Sequence, residues 1–351
     1  MKINLSEQEK EKCAQLLKVK ELNISGVEYY IDFLINHCRD IEFAKDENDW
    51  FKKFNEIEQI PEDILANSDV KKIGKLDPEI FENDSYYKTI GQLKAKNKDW
   101  EFMTLSYTPY EGFVSDEISI NSKLFNEFTP LSYFDREFKY LAVLQNDEVW
   151  MSVIPHEINT MKQPIKNASG NVLVLGLGLG YYLFNIVSKN DVNKVTVIEN
   201  DERVISLFNQ YLLDKFPNKE KIEIIKGDAI EFVKNSPRKF DYCFADIWHN
   251  VGDGEMLYLK IKSNEIKRPE TRFDYWIETS ILAMVRRQTL TVFSEQLNGS
   301  DESLYLHAQN ENDKIINKIY FYLKDKEIKT FNDLHDILTN ESLKVMCKNL
   351  F

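Results

Sequence analysis

The sequence predicts an α/β protein built on a Rossmann-like, doubly wound, mostly parallel sheet. Three observations carry that expectation. Strand-like and helical segments alternate between Asn171 and Trp248. The strand-like runs are largely apolar, as strands covered on both faces must be. The first run ends in a glycine turn that opens a helix, the arrangement of nucleotide-binding α/β sheets.

The elements follow in order. NVLVLGLG is a buried strand and YYLFNIVSK its helix. KVTVIEND and ERVISLFNQYLLDKF repeat the pair. KIEIIKGD is a third strand, AIEFVKN a short helix, and FDYCFADIW a fourth strand. Right-handed crossovers then make the sheet doubly wound. No fifth strand stands out. EMLYLKIK and RFDYWIETSILAMVRRQTLTVFSEQL both read as helix, as do the segments that follow to Phe351.

Ahead of this core the pattern differs. Ser6 is a plausible N-cap, with Glu9 at the capping-box position. In VEYYIDFLINHCRDI, residues Val27, Tyr30, Ile31, Leu34, Ile35 and Cys38 recur at helical spacing. Trp50 and Phe51 open an aromatic-rich segment ending near Pro61. WEFMTLSY and FVSDEISI read as short strands. KYLAVLQNDEVWMSV reads as a β-hairpin around Gln145–Glu148, and HEINTMKQPI as a short helix. The expected division is a helical region at 1–95, a small β region with a hairpin at 96–155, the Rossmann-like core at 156–260, and a helical C-terminal extension at 261–351.

Composition narrows the function classes. The 351 residues are 43% apolar with a net charge of −13 and no strongly basic block. Nucleic-acid binding is therefore disfavoured, though a local basic groove is not excluded. No run is long and apolar enough for a membrane span, and the charged start lacks a signal-peptide core. A cytoplasmic protein without a membrane partner is expected. The four cysteines are scattered without a C-x-x-C pair, so neither a metal site nor a disulfide framework is expected. The oligomeric state is not legible.

The chemistry concentrates at the strand ends. Gly176, Gly178 and Gly180 let a ligand approach the backbone after the first strand. Glu199, ending the second, can accept both ribose hydroxyls of a nucleoside. Asp228 and Ala229, ending the third, can address an adenine ring, and Asp228 can equally cap the helix that follows. A dinucleotide fingerprint fails in both frames, because its third glycine falls on Tyr181 or Leu183. No Gly-Lys-Ser/Thr phosphate loop occurs. After the fourth strand stand Asp246, Trp248, His249 and Asn250. His249 is a candidate general base. Tyr275, Trp276 and Glu278 are candidates for a substrate wall.

Residues 140–250 resemble class I S-adenosylmethionine-dependent methyltransferases, and within them the spermidine synthase branch. His156-Glu157 stands ahead of the glycine strand at nearly that branch's spacing. The resemblance implies cofactor contacts at Gly176, Gly178, Gly180, Glu199, Asp228 and Ala229, with S-adenosylmethionine as cofactor. It sets Asp246 where aminopropyltransferases keep their proton acceptor. Two positions depart from that branch. Leu179 and His249 stand where aminopropyltransferases carry aspartates that meet the cationic amine. The leading expectation is therefore methyl transfer to an unidentified acceptor. Aminopropyl transfer is the second expectation, and a catalytically silent nucleoside-binding interaction module the third.

Overall fold

The structure, a computed structural model, describes residues 1–39, 46–62 and 74–351. Ser6 begins α1 (Glu7–Asp32), its hydroxyl accepting the Glu9 N–H at 3.3 Å. Glu9 does not complete a capping box. Its carboxylate instead accepts the backbone N–H of Phe331, near the other end of the chain. Helix α1 runs into a π-helical turn at Phe33–His37. The wider turn rotates the helix faces. Phe33 is therefore buried, while Ile31 and Ile35, expected on the apolar stripe, are exposed. Phe33 packs edge-on against Trp50 and Phe54 of α2 (Glu47–Glu58). Within that expected stripe, the Tyr30 side chain lies outside the described residues, as do Asp40 and Ile41.

Four strands form an antiparallel sheet: β1 (Ala95–Asn97), β2 (Trp100–Tyr107), β3 (Phe138–Gln145) and β4 (Glu148–Ser152), in the order β4-β3-β2-β1. The hairpin β3–β4 turns on Asn146 and Asp147. Both have positive φ, 52° and 68°, as a two-residue hairpin turn of this hand requires.

Helix α3 (Pro155–Asn167) leads into the core. Its elements are β5 (Gly170–Leu175), α4 (Tyr181–Val187), β6 (Val192–Glu199), α5 (Glu202–Tyr211), β7 (Ile222–Lys226), α6 (Ala229–Asn235), β8 (Tyr242–Ala245), α7 (Val251–Asn264), β9 (Arg272–Tyr275) and α8 (Glu278–Leu297). The five strands are all parallel in the order β7-β6-β5-β8-β9. The Rossmann-like α/β expectation holds. The order reverses between β5 and β8, and that reversal makes the crevice of such sheets. Register then collects the chemistry. Leu175 lies opposite both Ile198 and Ala245, so Gly176, Glu199 and Asp246 follow in one row.

The fifth strand corrects the helical reading of the segment from Arg272. β9 pairs with β8 from Arg272 to Tyr275. It is a four-residue edge strand with polar Arg272 and Asp274, too short and mixed to show an apolar run.

Helices α9 (Glu311–Leu323), α10 (Phe331–Ile337) and α11 (Asn340–Lys348) follow. A buried ion network ties α11 to the core. Lys262, 4% exposed, lies 2.9 Å from both Glu265 and Glu278. Lys344 and Lys348 of α11 reach Glu278 and Glu265 at 2.7 and 2.6 Å. The hydroxyls of Tyr258 and Tyr275 donate to the same two glutamates. Among the described residues no helix is long and apolar enough to cross a membrane.

Candidate active site

A cavity of about 760 Å³ opens where the strand order reverses. The strand ends, the β3–β4 hairpin, the start of α3 and the Trp276–Ser280 segment wall it. Gly176, Gly178, Glu199, Asp228, Ala229, Asp246 and His249 all line it, as their positions in the sequence predict.

The glycine turn is tight for reasons the neighbours make plain. Gly176 has φ 96°, and a Cβ there would sit 1.9 Å from the Asp246 carbonyl oxygen. Gly178 has φ 49°, and its Cβ would meet Met151 of β4 at 2.2 Å. Gly180 is the exception among the expected contacts. It does not line the cavity; a Cβ there would meet Phe208 and Phe216, so packing explains it. Leu179 is fully buried, and its carbonyl accepts the Tyr86 hydroxyl.

Glu199 is not a solvated strand-end carboxylate. One oxygen accepts the Leu177 N–H at 3.1 Å and the other the Asp201 N–H at 2.8 Å. It therefore shapes the glycine turn. Each oxygen keeps a second lone pair for a ligand hydroxyl. Burial raises its pKa, and those backbone donors pull against the rise. Asp228 caps α6 through the Glu231 N–H at 2.8 Å and also lines the cavity, so both of its expected roles coexist. Asp201 is held down to about 2 chiefly by its hydrogen bond with Arg203.

On the other side of β5, Asp246 directly follows β8 and faces Glu157 of α3. Burial pushes Asp246 up to about 7. Burial, and then the charge of Asp246, hold Glu157 well above its ordinary value. Glu157 is 9% exposed, and its Oε2 has no hydrogen-bond partner among the described residues. His156 beside it is pushed down to about 4 by burial and is neutral at ordinary pH. The cavity lining contains five carboxylates and, among the described residues, no Lys or Arg.

Aromatic rings supply much of the remaining wall. Trp100, Trp150, Trp248 and Trp276 all line it, four of the five tryptophans in the chain. Trp150 meets Trp100 edge-on on one side and the His249 ring on the other. His249 Nδ1 donates to the Trp150 carbonyl at 2.7 Å, so the hairpin straps the cavity to the loop after β8. Trp276 donates to Thr160 at 3.0 Å and stands edge-on to His156. Trp248 is 5% exposed, and its indole N–H has no partner among the described residues.

Of the expected wall, Trp276 takes part, whereas Tyr275 and Glu278 face the Lys262 network instead. Ile277 lies between these environments with φ 47°, a strained backbone for a β-branched residue. Glu157 escaped a site assignment because it becomes a partner of Asp246 only through the fold. Away from the cavity, Asp32, His37 and Glu58 bring one ligand atom each within 4.8 Å of one another, a grouping that acidic surfaces also form without an ion.

Fold and site together define a Rossmann-like α/β domain with a nucleoside-sized acidic cavity. Residues 154–269 match the spermine/spermidine synthase domain. A polyamine aminopropyltransferase of Clostridium botulinum is 28% identical over 174 residues, 45% of this chain and 60% of the relative. One from Clostridium acetobutylicum is 29% identical over 158 residues, 40% of this chain and 54% of the relative. One from Saccharolobus islandicus is 25% identical over 177 residues, 46% and 57%. The chain thus spans little more than half the length of the curated relatives it matches. These matches overturn methyl transfer as the leading expectation, since the matched domain and the relatives carry aminopropyltransferase names. The aspartates absent at Leu179 and His249, which had weighed toward methyl transfer, concern how an amine is held and not which group is transferred.

Proposed function

We propose that the chain transfers an aminopropyl group from a decarboxylated S-adenosylmethionine-type sulfonium to an amine. The observation that carries this reading is the pair Glu157 and Asp246. The two carboxyl groups stand on one wall of the cavity, Glu157 buried and Asp246 half-buried, with no Lys or Arg in the lining among the described residues, an arrangement that is costly until a cation arrives. A sulfonium bearing an ammonium, and an ammonium acceptor, are cations of the required size. A dinucleotide is not, because the lining offers its phosphates five carboxylates and, among the described residues, no Lys or Arg.

In this reading Glu199 accepts the ribose hydroxyls and Asp228 with Ala229 addresses the adenine. The acceptor amine reaches Asp246 as an ammonium and gives it a proton. Its nitrogen then attacks the aminopropyl carbon bonded to sulfur. The N–C bond forms, the C–S bond breaks, and its electron pair neutralises the sulfonium, leaving methylthioadenosine. A carboxyl that burial pushes up toward neutrality suits a general base. Proximity supplies much of the acceleration.

The test is release of methylthioadenosine from decarboxylated S-adenosylmethionine and an amine by the purified chain. Nucleoside binding without such release, across a broad amine panel, would overturn the reading.

A further inference from the structure

The carboxylates of the cavity fall into two groups separated by β5. Glu199, Asp201 and Asp228 stand at the ends of β6 and β7, and each is already engaged: Glu199 by two backbone donors, Asp201 by Arg203 and Trp100, Asp228 by the α6 cap. On the β8–β9 side the lining contains only Glu157 and Asp246. Beyond them the lining has no further carboxylate on this side: it is Trp248, Trp276, Ile277 and Leu257, with His156, His249, Asn250 and Ser280 as its other polar members. Behind Ser280, Glu117 accepts the Ser280 N–H at 2.9 Å, and Glu278 is held by Lys262 and Lys344. Besides the Glu157 Oε2, the buried side-chain polar atom of this wall without a partner among the described residues is the Trp248 indole N–H, a donor. An ammonium is itself only a donor and gains nothing from it.

We propose that the acceptor is a monoamine with an apolar or aromatic body, its ammonium held by Glu157 and Asp246 and its body against Trp248 and Trp276. This rests on the aminopropyl-transfer reading and names the substrate class within it. Aromatic faces attract one cation and tolerate an apolar body at low cost. A linear diamine brings a second ammonium to a wall that offers it ring faces but no carboxylate, so the hydration it loses is only partly replaced.

The experiment titrates phenethylamine, hexylamine and putrescine calorimetrically into the full chain saturated with methylthioadenosine at neutral pH. Mass spectrometry then follows the products each amine gives with decarboxylated S-adenosylmethionine. The two monoamines are expected to bind at least about tenfold tighter than putrescine and to gain an aminopropyl group. Equal or tighter binding of putrescine overturns the proposal, and methylthioadenosine release with putrescine in that case leaves the aminopropyl reading standing. Bound nucleoside with no methylthioadenosine release from any of the three overturns the proposal, and the aminopropyl reading falls with it only when a broad amine panel gives no release either.

Discussion

Two buried acidic clusters lie close together in this molecule, and their surroundings are opposite. Glu265 and Glu278 are met by Lys262, Lys344, Lys348 and two tyrosine hydroxyls. Glu157 and Asp246 stand together on one side of a cavity whose lining, among the described residues, has no Lys or Arg. The carboxyl groups respond accordingly. Burial would push Glu278 up, yet Lys262 and Lys344 outweigh it and hold its pKa below the ordinary value. Burial pushes Asp246 up unopposed. A buried carboxylate with its cation built in holds a fold together, whereas one without it is a request for a ligand.

The strongest test of this contrast removes the built-in cation. Lys262→Met leaves Glu265 and Glu278 short of a cation, with only Lys344 and Lys348 of α11 left to meet them. Stability is expected to fall by about 3–5 kcal/mol in urea unfolding. A loss below 1 kcal/mol would mean the network is not structural. On the other side, Asp246→Asn keeps shape and removes charge. Turnover is expected to drop by about 100-fold or more while nucleoside affinity stays nearly constant. Parallel loss of both would make Asp246 a nucleoside contact instead of the base.

Glu199 is a third kind of buried carboxylate, satisfied by backbone amides. Glu199→Ala is expected to weaken methylthioadenosine binding by about 1.5–3 kcal/mol in calorimetry. An unchanged affinity would remove it from the nucleoside end. The smallest effect is on the empty protein. The Asp246 carboxyl ionises near 3.8 when unfolded and near 7 when folded. Between those values the unfolded chain sheds its proton first, so folding loses stability as pH rises through that window. Asp246→Asn should therefore be the more stable protein above pH 7, by about 1–3 kcal/mol, and should lose that advantage below pH 4. A pH-independent difference would contradict the unopposed burial.

Much of this was legible in the residues. The core strands announce themselves because burial on both faces demands apolar runs, as in Val172–Leu175 and Tyr242–Ala245. Their C-terminal ends then nominate Glu199, Asp228 and Asp246. What stayed hidden depends on three-dimensional register. Glu157 meets Asp246 only after α3 docks beside β8. Trp150 reaches the cavity because the hairpin turn aims β4 across it, and periodicity carries no such information. The helix faces around Phe33 were misjudged because a π turn changes the period at the point where the stripe was read.

The hairpin strap has an optical consequence. Trp150, 45% exposed at its tip, contacts both Trp100 and His249, and Trp248 and Trp276 line the same chamber. The remaining tryptophan, Trp50, is sealed among Phe33, Phe54 and Tyr133 in a separate cluster. Four of the five indoles of this chain thus stand at the cavity. The protein carries its own label for occupancy: a molecule that enters changes the polarity around most of its indoles, while the glow of Trp50 stays as an internal reference.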